Sequence, residues 1–166
     1  MSESTSPLSR ETATGPVEMT LLRLEPGEEI VSCLLEQLDE FGAPGAAVVS
    51  AIGSLTWVEY ALAEILEDGN VGYSEPHLEA TGTIELAALQ GHLGRELDGT
   101  PTLHLHGVFG LADGTVLAGH LFGAKVLITL EIALMVSHDA GWQRGFHQGV
   151  GTRKLPIFKP WSSVEH

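Results

Sequence analysis

The stretch Leu103-His104-Leu105-His106-Gly107-Val108-Phe109-Gly110-Leu111-Ala112-Asp113-Gly114-Thr115-Val116-Leu117-Ala118-Gly119-His120 decides the architecture. Side chains alternate in character on both sides of Ala112-Asp113-Gly114, the pattern of two antiparallel strands joined by a tight turn. A three-residue hairpin loop normally ends on a left-handed residue, a place that favours glycine, and Gly114 occupies it. Leu111 then stands opposite Thr115, and the register carries His106 directly across from His120, with Cβ atoms about 4.5–5.5 Å apart. On the other face this pairing sets Leu105 against Leu121, Gly107 against Gly119 and Phe109 against Leu117, all apolar or glycine as a core face requires. A two-residue Asp113-Gly114 turn would send His120 to that apolar face, so the three-residue loop is the better reading.

Residues two apart on a strand point the same way, so His104 and His106 share one face with His120. Three imidazoles from adjacent strands can give three nitrogen ligands to a divalent metal, leaving a fourth position for water or substrate. Zinc comes first among metals that suit imidazole, with iron, nickel and copper also in range. An open site of this kind lowers the pKa of bound water to about 7 and supports hydrolysis or hydration. The alternative is a set of half-buried histidines hydrogen-bonded to their neighbours. Gly107 and Gly119, if paired, would let another backbone approach the sheet closely.

Outward from this hairpin the chain of 166 residues reads as a single domain. Residues 1–16 form a polar tail expected to be disordered. Val17 to Leu24 reads as a strand stopped by Pro26-Gly27. Glu28 to Phe41 reads as a helix with an apolar stripe of Ile30, Val31, Leu34, Leu35, Leu38 and Phe41, ended by Gly42 and Pro44. Strands are expected at 46–52, ended by Gly53, at 56–66, closed by Glu67-Asp68-Gly69-Asn70, and at 81–93, with Gly82 and Gly91 as candidate bulges. Further strands follow at 102–111, 115–122 and 125–136, and residues 141–166 read as irregular. One helix followed by many strands joined by short turns implies an α+β domain, mostly antiparallel, without the strand–helix alternation of a nucleotide-binding fold.

Twenty-two acidic residues against eight basic ones leave a formal charge of −14 with histidine neutral. That balance argues against nucleic acid and anionic membranes as partners, since both need basic faces. No apolar run reaches the roughly 18 residues of a membrane helix. The first sixteen residues lack the apolar centre of a secretory signal. The single cysteine, Cys33, sits on the helical stripe, and cytoplasmic residence is the expectation. Charged residues make up only 18% of the chain against 43% hydrophobic, which points to apolar surface buried between subunits, the alternative being a surface rich in Ser, Thr and Gly.

The segments Gly82-Thr83-Ile84-Glu85-Leu86, Gln90-Gly91, Pro101 to His106, Ala118-Gly119-His120 and Thr129-Leu130-Glu131-Ile132, in this order and spacing, resemble the plant and prokaryote conserved (PPC) domain. The likeness runs from about Val17 to Phe158, leaving 159–166 as a C-terminal tail. It departs from the family pattern at Ala118, where the first glycine of G-G-H is common, and at Ile84, where phenylalanine is usual. The resemblance implies a compact subunit assembling as a homotrimer, and a metal on His104, His106 and His120. In plants the domain follows a basic arm that enters the minor groove, and nothing like it occurs here: the tail before Val17 holds Arg10 and no lysine. Plant relatives use the domain for self-association and partner recruitment, so a regulatory interaction module is the second reading; direct DNA binding ranks last.

Two carboxylates invite a chemical role. Glu131 interrupts the apolar strand 126–136, where a charge needs a partner or a metal. It would serve as a general base or orient a ligand histidine, or else sit at an edge or subunit interface facing Arg144 or Lys125. Glu85 carries the same ambiguity. If the protein is an enzyme, a metal-dependent hydrolase or lyase acting on a small anionic or carbonyl ligand is the expectation. His77, His92, His138 and His147 lack partners at ligand spacing and read as surface or loop residues, His92 being the exception to watch. Trp57, Trp142 and Trp161 read as core or interface fillers, and Arg144, Arg153 and Lys154 as a cluster facing either an anionic substrate or an acidic neighbour.

Overall fold

The computed structural model describes residues 11–147 and 155–163. Most of the tail expected at 1–16, the end of the C-terminal tail, and Arg153 and Lys154 lie outside the described residues. The elements run β1 (Glu18–Leu24), α1 (Ile30–Phe41), β2 (Gly45–Ala61), β3 (Ala63–Ile65), β4 (Val71–Tyr73), β5 (Leu78–Arg95), β6 (Pro101–Leu111), β7 (Val116–Ser137), β8 (Ala140–His147) and β9 (Leu155–Ser162). No described helix is long and apolar enough to cross a membrane.

The helix begins at Ile30, with its apolar stripe, and not at Glu28 as expected, because Glu29 caps it instead of joining it. Its backbone is extended (φ −96°, ψ 121°) and its carboxylate accepts from the amides of Val31 at 3.2 Å and Ser32 at 2.8 Å. A third amide, that of Ala124, donates to the same side chain at 3.0 Å and ties the helix start to β7. Gly42 closes the other end in the left-handed conformation, its N–H reaching Asp39 O at 3.0 Å. The face carrying Ile30, Leu34 and Leu38 is fully buried.

Pairing of the long strands closes a circuit. β2 pairs with β5 and with β7, and β6 pairs with β5 and with β7, all antiparallel. β1 adds to the outer half of β7. Leu55, Ile84, Leu89, Leu105, Phe109, Leu121 and Leu130 fill the interior against the helix, each with no more than 1% of its surface exposed. The result is a mostly antiparallel sheet wrapped about one helix, which fits an α+β description only loosely.

Three expectations are corrected. Gly53 does not end a strand: β2 runs through it to Ala61, and a Cβ there would lie 2.2 Å from Thr129 O, so the glycine marks a close approach of β7. Gly123 likewise lies inside a continuous β7, against the Trp57 ring. The segment from residue 141 onward is not irregular. β8 and β9 form an antiparallel pair, joined to β5 by a parallel contact between Arg95 and Gln143. The spaced glycines Gly141, Gly145, Gly149 and Gly151 make this stretch read as a run of turns; Pro156 and Pro160 lie on β9, an edge strand, where proline is tolerated. Of the candidate bulges, Gly82 (φ +114°) lies at the register shift opposite Leu55–Trp57, whereas Gly91 stays in register.

Candidate metal centre

The hairpin that carries the histidines follows the expected register. Gly114 is left-handed (φ +86°), its N–H bonds Leu111 O at 2.9 Å, and Leu111 N bonds Thr115 O at 2.8 Å. The ladder then runs from Gly110–Val116 to His106–His120. There β7 changes partner. His120 faces Ala61 on its other side, and from Leu121 onward β7 follows β2 while β6 stays with β5, where His104 faces His92. The expected Leu105–Leu121 rung is therefore not formed, and a gap opens beside His104. Gly119 permits the handover, since a Cβ there would lie 2.6 Å from Ala61 O; Gly107 instead makes room for the ring of Phe109.

At the fork the three imidazoles converge. Ring centroids are 5.0 Å apart for His104 and His106, 4.9 Å for His104 and His120, and 5.3 Å for His106 and His120. Each offers one nitrogen, and the three lie within 4.8 Å of one another. The Nε2 atoms of His104 and His106 are 3.0 Å apart. Tetrahedral zinc with bonds of about 2.0–2.1 Å places its nitrogen ligands roughly 3.4 Å apart, so small side-chain rotations would bring this set to a common ion. The Tyr73 hydroxyl lies 3.1 Å from His120 Nδ1, engaging that nitrogen and leaving Nε2 to face an ion.

Electrostatics favour the neutral form of His104 and His120. His120 is pushed down to about 4, first by burial and then by its neighbours His104 and His106, with Arg144 and His77 adding to it. His104 is lowered by burial, then by His106, His92 and Arg144. His92 is lowered by burial alone, and burial raises Tyr73 against the opposing pull of Arg144.

Neither candidate base joins this group. Glu131 is exposed on the far half of β7, across from Arg23 of β1 and Ile52 of β2, so its charge is met at the sheet surface and not at the histidines. Arg144 and Lys125, its other expected partners, go elsewhere: Arg144 to Glu96 at 3.4 Å, Lys125 across from Trp57. Glu85 is exposed opposite Gly110, at the turn end of the ladder. His92, by contrast, stacks on Trp142 with centroids 4.3 Å apart, close to His104. His77 bonds Glu59 at 2.7 Å and stacks on Phe122, which packs on His120.

Beside the histidines lies an open cavity of about 660 Å³. His104, His120 and Tyr73 line it, together with Trp142, Arg144 and Phe158 from the β8–β9 pair. Sequence reasoning missed Tyr73 and Phe158 altogether.

The sequence profile of the Plants and Prokaryotes Conserved (PCC) domain matches residues 11–138. The chain belongs to this family. Solved structures of similar fold include a PCC-family (PPC) protein from Pyrococcus horikoshii, 26% identical over 80% of this chain and 88% of that one, TM-score 0.66. A metal-containing protein from Archaeoglobus fulgidus is 27% identical over 87% of this chain and 96% of that one, TM-score 0.71. A hypothetical protein from Salmonella enterica is 25% identical over 93% of this chain and all of that one, TM-score 0.75. No curated protein matches the sequence. The PCC domain thus spans the helix, the histidine hairpin and the fork, while β8 and β9 lie beyond the matched residues.

Proposed function

We propose that this PCC-domain protein is a cytoplasmic homotrimer that binds one divalent metal ion per chain, zinc by preference, through His104, His106 and His120. The observation that carries the reading is the convergence of three half-buried or exposed imidazoles, with ligating nitrogens within 4.8 Å, at the mouth of a cavity. A bound ion would supply Lewis-acid character at an open position, where a small anionic or carbonyl ligand would bind. The chain's own residues do the rest: Tyr73 fixes the His120 ring, and the aromatic wall offers an apolar surface beside it. The metal-containing relative from Archaeoglobus supports this reading.

Self-association is supported by apolar side chains left in solvent on β1, β2 and β7: Met19 is 73% exposed, Leu21 76%, Ile52 51% and Ile128 66%. The same surface favours the second reading, an interaction module whose function is the assembly. With a charge of −14, duplex DNA ranks last as a partner. Glu131 and Glu85 enter a reaction only if assembly brings them to another subunit's histidines.

Elemental analysis of protein purified without added metal, alongside His104→Ala and His120→Ala, tests the site. Metal near one per chain in the parent and little in both variants is expected; equal metal in all three ends the proposal. Light scattering gives the subunit count in the same samples, and a monomer would remove the trimer.

A further inference from the structure

The cavity beside the histidines carries a second set of groups that metal binding does not use. Arg144 is the one lysine or arginine on its wall among the described residues, and no aspartate or glutamate lines it there. In a chain with 22 acidic and 8 basic residues, a wall with a cation and no carboxylate runs against composition and favours an anion. The guanidinium is held in place. Nη2 donates to Thr102 Oγ1 at 2.9 Å and to Leu103 O at 3.3 Å, and the guanidinium carbon stands 4.5 Å from the centre of the Phe158 ring. Glu96, 3.4 Å from Nε, belongs to the wall of a different cavity.

The rest of the wall selects the body of the ligand. Tyr73, Phe122, Trp142 and Phe158 present aromatic surface, with Leu103 and Ile157 between them. At about 660 Å³ the space matches the usual range of small-molecule sites, roughly 300–1,000 Å³. With Nη2 held by Thr102 and Leu103 and Nε beside Glu96, Nη1 is the guanidinium nitrogen that points a charge-assisted donor at a carboxylate, and one such donor suffices for that group. A phosphate would ordinarily draw on several donors, often the free amides of a helix start. Here the helix start that reaches the cavity through Val31 is already capped by the Glu29 carboxylate.

We infer that the cavity binds a small carboxylate with a flat, apolar body, its carboxylate on Arg144 and its body among the rings of Tyr73, Phe122 and Phe158. This names the ligand class of the open position, and so rests on the metal reading for its link to chemistry but not for its recognition by Arg144.

Calorimetric titration tests it with benzoate, the uncharged isostere benzamide, and phenyl phosphate as probes. Each is added to zinc-treated protein, to chelator-stripped protein, and to Arg144→Gln and Arg144→Lys. Benzoate should bind zinc-treated protein at least about tenfold more tightly than benzamide. Arg144→Gln should lose about tenfold or more in benzoate affinity while taking up the same zinc; Arg144→Lys, which keeps the charge but not the bonds to Thr102 and Leu103 that place it, should fall between. Benzoate binding no better than benzamide, or equally well to a folded Arg144→Gln, overturns the inference and leaves the metal reading standing. Tighter binding of phenyl phosphate overturns the carboxylate assignment. If no zinc is taken up yet benzoate still depends on Arg144, the metal reading fails and the inference holds. Should Arg144→Gln fail to fold, the parent protein decides: benzoate binding no tighter than benzamide there overturns the inference.

Discussion

Adding one methyl group at Gly91 should damage the histidine site without touching a histidine. A Cβ built there lies 2.0 Å from the carbonyl oxygen of His104 and 2.9 Å from Leu105 Cα. Normal contact between such atoms is well above 3 Å, so β5 and β6 must separate by on the order of 1 Å at the residue that supplies a ligand. Metal sites tolerate bond-length changes of only about 0.2 Å. The backbone adds strain, because Gly91 has φ +148°, a conformation costing roughly 1–3 kcal/mol for other residues. Overpacking costs about 1–3 kcal/mol more. Gly91→Ala should therefore be destabilised and lose about tenfold or more in zinc affinity, measured by competition with the chromophoric chelator pyridylazoresorcinol. Gly53→Ala is the control. Its Cβ would meet Thr129 O at 2.2 Å, an equally severe backbone clash, but on the β2–β7 ladder away from the histidines. It should lose stability and keep zinc affinity. A folded Gly91→Ala protein that binds zinc like the parent would refute the claim that the His104 backbone is held in place by this close approach.

Other outcomes follow from the same geometry. Tyr73→Phe removes the hydroxyl at 3.1 Å from His120 Nδ1 and should weaken zinc binding about 10- to 100-fold with little change in circular dichroism; unaltered competition titrations would show that the contact orients nothing. Glu29→Ala strips three amides of their acceptor and should cost about 1–2 kcal/mol in urea unfolding, with metal content unchanged. In the metal-free protein His120 titrates near 4 when folded against 6.5 when unfolded. Between those values the unfolded chain holds the extra proton, so stability falls as pH drops from 6.5 toward 4. Replacing the residue by Asn should flatten that part of the urea-midpoint profile relative to the parent; identical profiles would contradict the shift.

What the sequence made legible was local. The loop Ala112-Asp113-Gly114 fixes its own register, and alternation along two short strands does the remainder, so the His106–His120 rung could be read directly. Glycine inside a strand is ambiguous in a single sequence: at Gly53 and Gly123 it signals a close approach of another element, which looks the same as a stop. The β8–β9 pair was hidden by the spaced glycines from Gly141 onward, which read as turns, and whether a segment like this pairs at an edge is a fact of topology. Tyr73 reaches His120 only because the short β3–β4 hairpin folds back over the fork, and no periodicity links residues so far apart. Trp142 and Arg144, two apart, did carry a strand-like signal of a shared face.

The position of the site follows from the sheet itself. A strand that keeps one neighbour leaves no space between rungs; one that changes neighbours must leave a gap where the old and new partners diverge. β7 makes that change at His120, bound to His106 on one side and Ala61 on the other. His104, the next same-face residue on β6, is left lining the gap. The histidines thus combine a rigid rung, which fixes His106 and His120, with an opening beside His104. A set placed nearer the turn, at Val108 and Ala118, would sit on an equally firm ladder but away from this change of partner. On the proposed metal reading the fork would couple metal binding to ligand access, with β8 and β9 supplying Trp142, Arg144 and Phe158 to the cavity wall.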